Sequence, residues 1–125
     1  MQEKEWLLRQ NLLHPIVGLE ILQQGGNAID AAVAIGFTLA VTYPQAGNIG
    51  GGGFMLIRFA NGTSTSIDFR EKSPMLSMRD MFLNDSGNVI QEASLIGHRA
   101  VGVPGSVDGL LVALEKYGTI VRNKK

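Results

Sequence analysis

An apolar run of strand length, Phe54–Ala60, is followed at once by Asn61 and Gly62. A run of this kind predicts a strand that is covered on both faces. Asn-Gly is the strongest short signal for a hairpin, because both residues tolerate the positive φ of a type I′ turn. In the return segment, residues 63–69, apolar and polar side chains alternate. The chain is therefore predicted to fold around an antiparallel hairpin.

Two helices are predicted before the hairpin. Pro15 suits the first turn of a short helix that ends near Gln24, where two glycines stop it. Asn27 is a good N-cap for a second helix that continues to about Thr42, with Asp30 facing the positive end of its dipole. Residues 28–41 are apolar nearly all round, which is typical of a helix buried between layers.

The segment after the hairpin predicts a helical turn over Ser77–Phe82, a turn-rich loop at residues 84–88 and a last helix. Ser106 is predicted to cap this helix, which continues to Tyr117 and stops at Gly118. Helices beside an antiparallel hairpin that is covered on both sides indicate a layered α/β (α+β) arrangement.

Charge and composition exclude several classes of function. Eleven basic and eleven acidic residues give zero net charge, so no nucleic acid or anionic membrane surface is predicted as a partner. The lack of cysteine excludes disulfides, thiolate metal sites and a cysteine nucleophile. His14 and His98 have no histidine partner one helical turn away, so we expect no metal and no cofactor.

No targeting segment is predicted. Glu3 and Glu5 stand where a secretory signal carries positive charge. The longest apolar stretch, residues 31–43, is shorter than the ~20 residues that span a bilayer. We expect a soluble chain or a fragment of a soluble protein, and the sequence does not predict its compartment.

The glycine run at residues 50–53 is the first candidate for a binding site. Its backbone N–H groups could receive an anion, or the run could be a tight entry into a buried strand. It matches neither a P-loop nor the dinucleotide fingerprint, because the Lys-Ser/Thr pair and the final glycine are missing and a strand follows. The structural interpretation is favoured.

Arg70 is the stronger candidate, because it lies on the polar row at the end of the return strand. Its planar guanidinium could receive a carboxylate through two parallel hydrogen bonds. The alternative is a surface arginine that pairs with Asp68 or Glu71. These two carboxylates could form a general acid/base pair, but orienting Arg70 or facing solvent is the favoured interpretation. Ser106 lacks the nucleophile-elbow pattern, so an N-cap is favoured over a nucleophile.

These segments together resemble the γ-glutamyltransferase (γ-glutamyl transpeptidase) family, in its large subunit. The resemblance extends from about Pro15 to Ile120 in the family's order and spacing. The motifs are GGNAIDAAV at residues 25–33, Pro44, Gly47, IGGGGFM at 49–55, IDFRE at 67–71, Pro74, AVGVPGSV at 100–107, Gly109, and Tyr117-Gly118. Each motif is weak by itself, whereas five in order are a specific signal.

The resemblance implies an N-terminal-nucleophile hydrolase fold, a four-layer αββα sandwich, made as a precursor that cuts itself into two subunits. The N-terminal threonine of the small subunit would attack a γ-glutamyl donor, typically glutathione, and pass the acyl group to water or to an amino acid or peptide. A free α-amine can serve as the base for such a threonine. By the resemblance, Arg70 holds the α-carboxylate of the glutamyl group and the glycine run is structural.

Three segments follow from the resemblance: a divergent start at residues 1–14, a partial large-subunit domain at 15–120 and a divergent basic tail at 121–125. The threonine-bearing small subunit is expected as a partner, and no residue of this chain is expected to be the nucleophile. We therefore expect an enzyme fragment that is inactive by itself. The alternatives are a fragment of a cephalosporin-acylase-like amidohydrolase, a non-catalytic anion-binding module and a gene remnant.

Overall fold

The computed structural model describes the backbone of residues 2–120 and the side chains of residues 12–120; the basic tail predicted at 121–125 lies outside them. The chain forms four α-helices, two strands and a short 3-10 helix within this part. In order they are α1 (Gln2–Gln23), α2 (Ala28–Thr42), α3 (Pro44–Gly47), β1 (Phe54–Arg58), β2 (Ser64–Asp68), the 3-10 helix (His98–Ala100) and α4 (Ser106–Tyr117).

The predicted hairpin is confirmed. β1 and β2 pair antiparallel, with Phe54 opposite Asp68 and Arg58 opposite Ser64. The turn differs from the predicted type I′, because Gly62 has a positive φ of 86° and Asn61 does not. The Asn61 side chain instead accepts a hydrogen bond from the Thr63 backbone N–H (3.0 Å). Asn61 thus takes part in the turn through its side chain and not through a left-handed backbone.

Only one face of the hairpin is covered among the described residues. Ile57 is buried on the side of the helices, whereas Leu56 on the opposite face is 84% exposed. The prediction that β1 is covered on both faces is therefore wrong for this part of the chain. The apolar run correctly predicted the strand, but within the described residues the layer that packs against the hairpin is α4, on one side of it.

α1 begins at Gln2 rather than at Pro15, which lies inside it. An interior proline removes one backbone hydrogen bond and crowds the carbonyl one turn earlier, so α1 continues at Pro15 in spite of a local cost and not because of it. The predicted stop is confirmed, because Gly25 has a positive φ of 86°. The N–H groups of Gly25 and Gly26 return to the carbonyls of Leu22 and Ile21, both at 3.0 Å.

The second helix is capped as predicted. The Asn27 side chain accepts from the backbone N–H groups of Ile29 (2.8 Å) and Asp30 (3.0 Å), and Asp30 accepts in return from the Asn27 N–H (2.8 Å). This arrangement is a capping box. Asp30, Ala31 and Val33 are buried on α2, whereas Val41 is 80% exposed. Within the described residues α2 is therefore only partly covered, and not buried between layers as predicted.

The same cap joins α2 to the end of α4. The Asn27 Nδ2 donates to the Tyr117 carbonyl (2.6 Å), and the Thr119 hydroxyl and backbone N–H donate to Asp30 Oδ2 (2.7 and 3.0 Å). Burial raises the pKa of Asp30, but the hydrogen bonds from Thr119, Asn27 and Ile120 outweigh this effect and place the pKa below its usual value. The ionised carboxylate therefore stabilises the contact between the helices.

Two predictions about local structure after the hairpin are wrong, and one is confirmed. Ser77–Phe82 forms separate turns instead of a helical turn, because its backbone bonds are isolated i→i+3 bonds, such as the one from the Met81 N–H to the Met78 carbonyl (3.2 Å). α4 begins at Ser106, and its N-cap is Gly105, without a side-chain cap bond. The loop at residues 84–88 is confirmed by an Asn84 N–H to Asn88 carbonyl bond of 2.9 Å.

The described part of the chain is thus a mixed α/β arrangement in which helices pack beside a two-stranded sheet. Within residues 2–120 we find no helix with the length and apolar character that a membrane span requires.

We predict that Asp30→Asn lowers the free energy of unfolding by about 1–3 kcal/mol, because an amide cannot accept all the hydrogen bonds that converge on this carboxylate. Urea unfolding at pH 7, followed by circular dichroism, measures the change. Asp85→Asn, in the exposed turn at residues 84–88, is the matched control and should be neutral.

The pH dependence gives a second readout for the same pair. Because the folded pKa of Asp30 is lowered, its contribution is present above the ordinary aspartate pKa of ~3.9 and is lost as pH falls through the lowered value. The Asp30→Asn chain should lack this loss. If the parent and the variant lose the same unfolding free energy as the pH falls, the assignment is contradicted.

Candidate functional site

Arg70 lies two residues beyond the end of β2, on the same polar row as Asp68. The Asp68 carboxylate accepts from three donors of Arg70: the backbone N–H (3.0 Å), Nε (3.4 Å) and Nη2 (3.2 Å). The hydrogen bonds from the Arg70 side chain and backbone hold the pKa of Asp68 below its usual value. The side chains are 63% and 55% exposed, so this ion pair lies at the surface.

Phe54 forms the surface beneath the guanidinium. The Arg70 Cζ lies 4.7 Å from the centroid of the Phe54 ring. Phe54 stands opposite Asp68 in the hairpin register, so Arg70 is its diagonal neighbour across the two strands. Sequence reasoning missed this contact, although the register of the predicted hairpin would have placed the two side chains on one face.

Glycines allow the backbone of residues 69–71 to pass through a narrow space. A Cβ added at Gly52 would lie 2.5 Å from the Glu71 N and 2.6 Å from the Arg70 Cα. Any side chain at that position would displace the Arg70 backbone. The close approach agrees with the structural interpretation of the glycine run, which leads the chain past Arg70 into β1.

α4 closes the other side of this passage. A Cβ on Gly105 would overlap the Phe69 carbonyl, and one on Gly109 would overlap the Phe69 ring. The N–H groups of Gly105 (2.9 Å) and Ser106 (3.1 Å) both donate to the Gly51 carbonyl. The i, i+4 spacing of the two glycines on a helix, opposite an aromatic strand residue, was the sequence signal for this contact.

The remaining candidates are separated from one another. Glu71 lies against Gly52 and Gly102, whereas Asp68 contacts Arg70, so the two carboxylates have different neighbours. The predicted contact between Asp68 and Arg70 is present, and its exposure also fits the alternative of a surface arginine paired with Asp68. Among the described residues no contact supports an acid/base pair. Ser106 is only 8% exposed, which disfavours it as a nucleophile.

A cleft of about 420 Å³ opens between the end of β2 and the start of α4. Asp68, Arg70, Lys72 and Asp108 supply its charged side chains, and Phe69, Val103 and Val112 supply apolar ones. Lys72 pairs its backbone with Val103 through two hydrogen bonds of 3.1 and 2.7 Å, which fixes the far end of the cleft. The described residues contain no cluster of three side chains suited to hold a metal ion. The charged side chains that line the cleft are two basic and two acidic, so neither sign is in excess.

The glycines, the hairpin and Arg70 define an α/β chain with an exposed arginine beside a cleft. Comparison with known proteins gives its family. The family description for γ-glutamyltranspeptidase matches residues 16–124. The chain belongs to the γ-glutamyltranspeptidase family.

Individual relatives agree with this assignment. The glutathione hydrolase proenzyme of Escherichia coli K12 is 61% identical over 108 residues, which are 86% of this chain and 19% of the relative. That of Bacillus subtilis strain 168 is 47% identical over 111 residues, covering 85% of this chain and 19% of the relative. The chain thus spans about a fifth of the length of these curated relatives.

Solved structures show the same fold. The γ-glutamyltranspeptidase of Helicobacter pylori superposes with a TM-score of 0.80 at 55% identity, covering 86% of this chain and 31% of that one. The enzyme of Pseudomonas nitroreducens gives a TM-score of 0.78 at 51% identity, covering 86% and 32%.

We predict that Gly52→Ala destabilises the fold by about 1–3 kcal/mol, because the added methyl group overlaps backbone that cannot move aside. The neighbouring Gly51→Ala is the matched control, since its Cβ would meet only the Asn48 Oδ1 at 3.9 Å. Urea unfolding of both variants measures the difference. Equal unfolding free energies of the two variants would show that Gly52 is less closely packed against Arg70 than described.

Proposed function

We propose that this chain supplies the carboxylate-binding part of a γ-glutamyltransferase active site, in which Arg70 receives the α-carboxylate of the γ-glutamyl donor. One observation carries the proposal. Asp68 occupies two of the five guanidinium N–H donors, so three remain for a ligand among the described contacts of Arg70. Two of these can form the parallel pair of bonds that a carboxylate requires.

The proposed reaction takes glutathione or another γ-glutamyl donor, breaks its γ-glutamyl amide and transfers the glutamyl group to water or to an amino acid or peptide. The names of the relatives, glutathione hydrolase proenzymes, support this substrate class over a cephalosporin-type acyl group or a simple anion. We infer that a threonine of a small subunit, cut from the same precursor, is the nucleophile. This chain would be inactive without it.

The proposed architecture follows from the same relatives. We infer that residues 15–120 form part of a large-subunit domain and that residues 1–14 diverge from it. In the complete protein the hairpin would be part of a four-layer αββα sandwich. Its exposed face, with Leu56 84% accessible, is compatible with a further layer there.

A chimera tests the role of Arg70 in a complete enzyme. Residues 16–120 of this chain replace the matching segment of the Escherichia coli relative, to which the chain is 61% identical. We expect Arg70→Lys to raise KM for glutathione by roughly 10- to 100-fold, because a point charge cannot replace two parallel hydrogen bonds. Arg79→Lys is the matched control, since Arg79 is 97% exposed and pairs with Asp80 at 3.9 Å.

A donor whose α-carboxylate is converted to an amide separates recognition from general damage. The parent chimera should discriminate strongly against this donor, and the Arg70→Lys chimera should discriminate much less. An unchanged KM for glutathione in Arg70→Lys would refute the proposed role.

A further inference from the structure

The hairpin register places Phe54 where it can support Arg70. Phe54 is opposite Asp68 in the register, and Arg70, two residues beyond Asp68, reaches across the strand pair to it. The resulting distance of 4.7 Å between Cζ and the ring centroid is within the ~6 Å of a cation–π contact. This contact restricts the tilt of the guanidinium plane.

Asp68 restricts the rotation of the same group. It bonds the Nε and Nη2 atoms on one edge of the guanidinium and also the Arg70 backbone N–H (3.0 Å), so side chain and backbone share one anchor. The opposite edge, formed by Nη1 and the second hydrogen of Nη2, is left for a ligand. A guanidinium held in this way loses less conformational entropy when a carboxylate binds.

We propose that Phe54 and Asp68 are positioning residues that hold Arg70 with one edge directed to the donor carboxylate; this inference rests on the proposed function of Arg70. Neither residue reacts with or contacts the donor. Their effect is on the orientation of the group that does, so they set the affinity for donors that carry a free α-carboxylate.

Within the described part of the chain, these side chains contribute little to packing. Phe54 is 60% exposed, and the Asp68–Arg70 pair lies at the surface. Surface ion pairs contribute little to stability, so the loss of Asp68 should leave the fold intact. An effect on donor affinity without an effect on the melting temperature is therefore the expected signature of positioning.

The chimera described above provides the test, with steady-state kinetics on glutathione and on the α-amide donor. We expect Asp68→Asn and Phe54→Leu each to raise KM for glutathione by roughly three- to tenfold, with kcat within about twofold. KM for the α-amide donor should not change. Phe54→Tyr keeps an aromatic face and should restore KM to within about twofold of the parent value.

Two controls match the chemistry of these substitutions. Asp80→Asn removes the carboxylate of the other described ion pair, Arg79–Asp80, at 3.9 Å. Leu95→Ala truncates an exposed apolar side chain away from the hairpin. Both controls should keep the parent KM, and thermal melts of all variants show whether the fold is retained.

The outcomes distinguish this inference from the proposed function. An unchanged KM in Asp68→Asn and Phe54→Leu, together with a raised KM in Arg70→Lys, would overturn the positioning role while Arg70 keeps its own. A KM that also stays unchanged in Arg70→Lys would overturn both. Equal rises for glutathione and the α-amide donor, or no rescue by Phe54→Tyr, would also overturn the positioning role.

Discussion

The narrow space around Phe69 and Arg70 determines how the rest of the chain is arranged. A strand can pass this close to another segment and to a helix only where glycines stand on both sides, and Gly52, Gly105 and Gly109 meet that requirement. The Gly51 carbonyl then accepts the first N–H groups of α4. As a result one crowded point fixes the entry into β1, the exit from β2 and the start of α4.

α4 is held at its other end by a different kind of interaction. The ionised Asp30 and the Asn27 cap bind the backbone just after α4, at Tyr117 and Thr119. Between the two ends Ala113 is fully buried. Steric exclusion at one end and charge-assisted hydrogen bonds at the other therefore set the position of the helix that borders the cleft.

Local sequence rules predicted the elements that local contacts determine. Asn27 and Asp30 are neighbours on one helical turn, so their capping box could be read from the sequence, and alternation identified β2. Ser106 shows where such rules fail. Its helix begins without a side-chain cap; instead the Gly51 carbonyl, distant in sequence, accepts from the N–H groups of Gly105 and Ser106 at the helix start. Pro15 shows the same limit, since α1 continues through a proline that the local rule places in a first turn.

The candidate site was predicted in part for the same reason. Arg70 and Asp68 lie two residues apart on one polar row, so their pairing followed from alternation. The contact with Phe54 depends instead on the register across the hairpin. The functional assignment of Arg70 came from the family resemblance, because the chemistry of one exposed arginine does not identify a ligand.

The exposure of Arg70 also limits what this part of the protein can do by itself. A surface ion pair contributes at most about 1 kcal/mol, whereas even millimolar binding requires about 4 kcal/mol. A carboxylate bound only by Arg70, 63% exposed, would therefore dissociate readily. In the proposed transferase the difference must come from further contacts and from a less polar surrounding, which strengthens the same two hydrogen bonds. Binding of the donor therefore requires that the complete site has formed around Arg70.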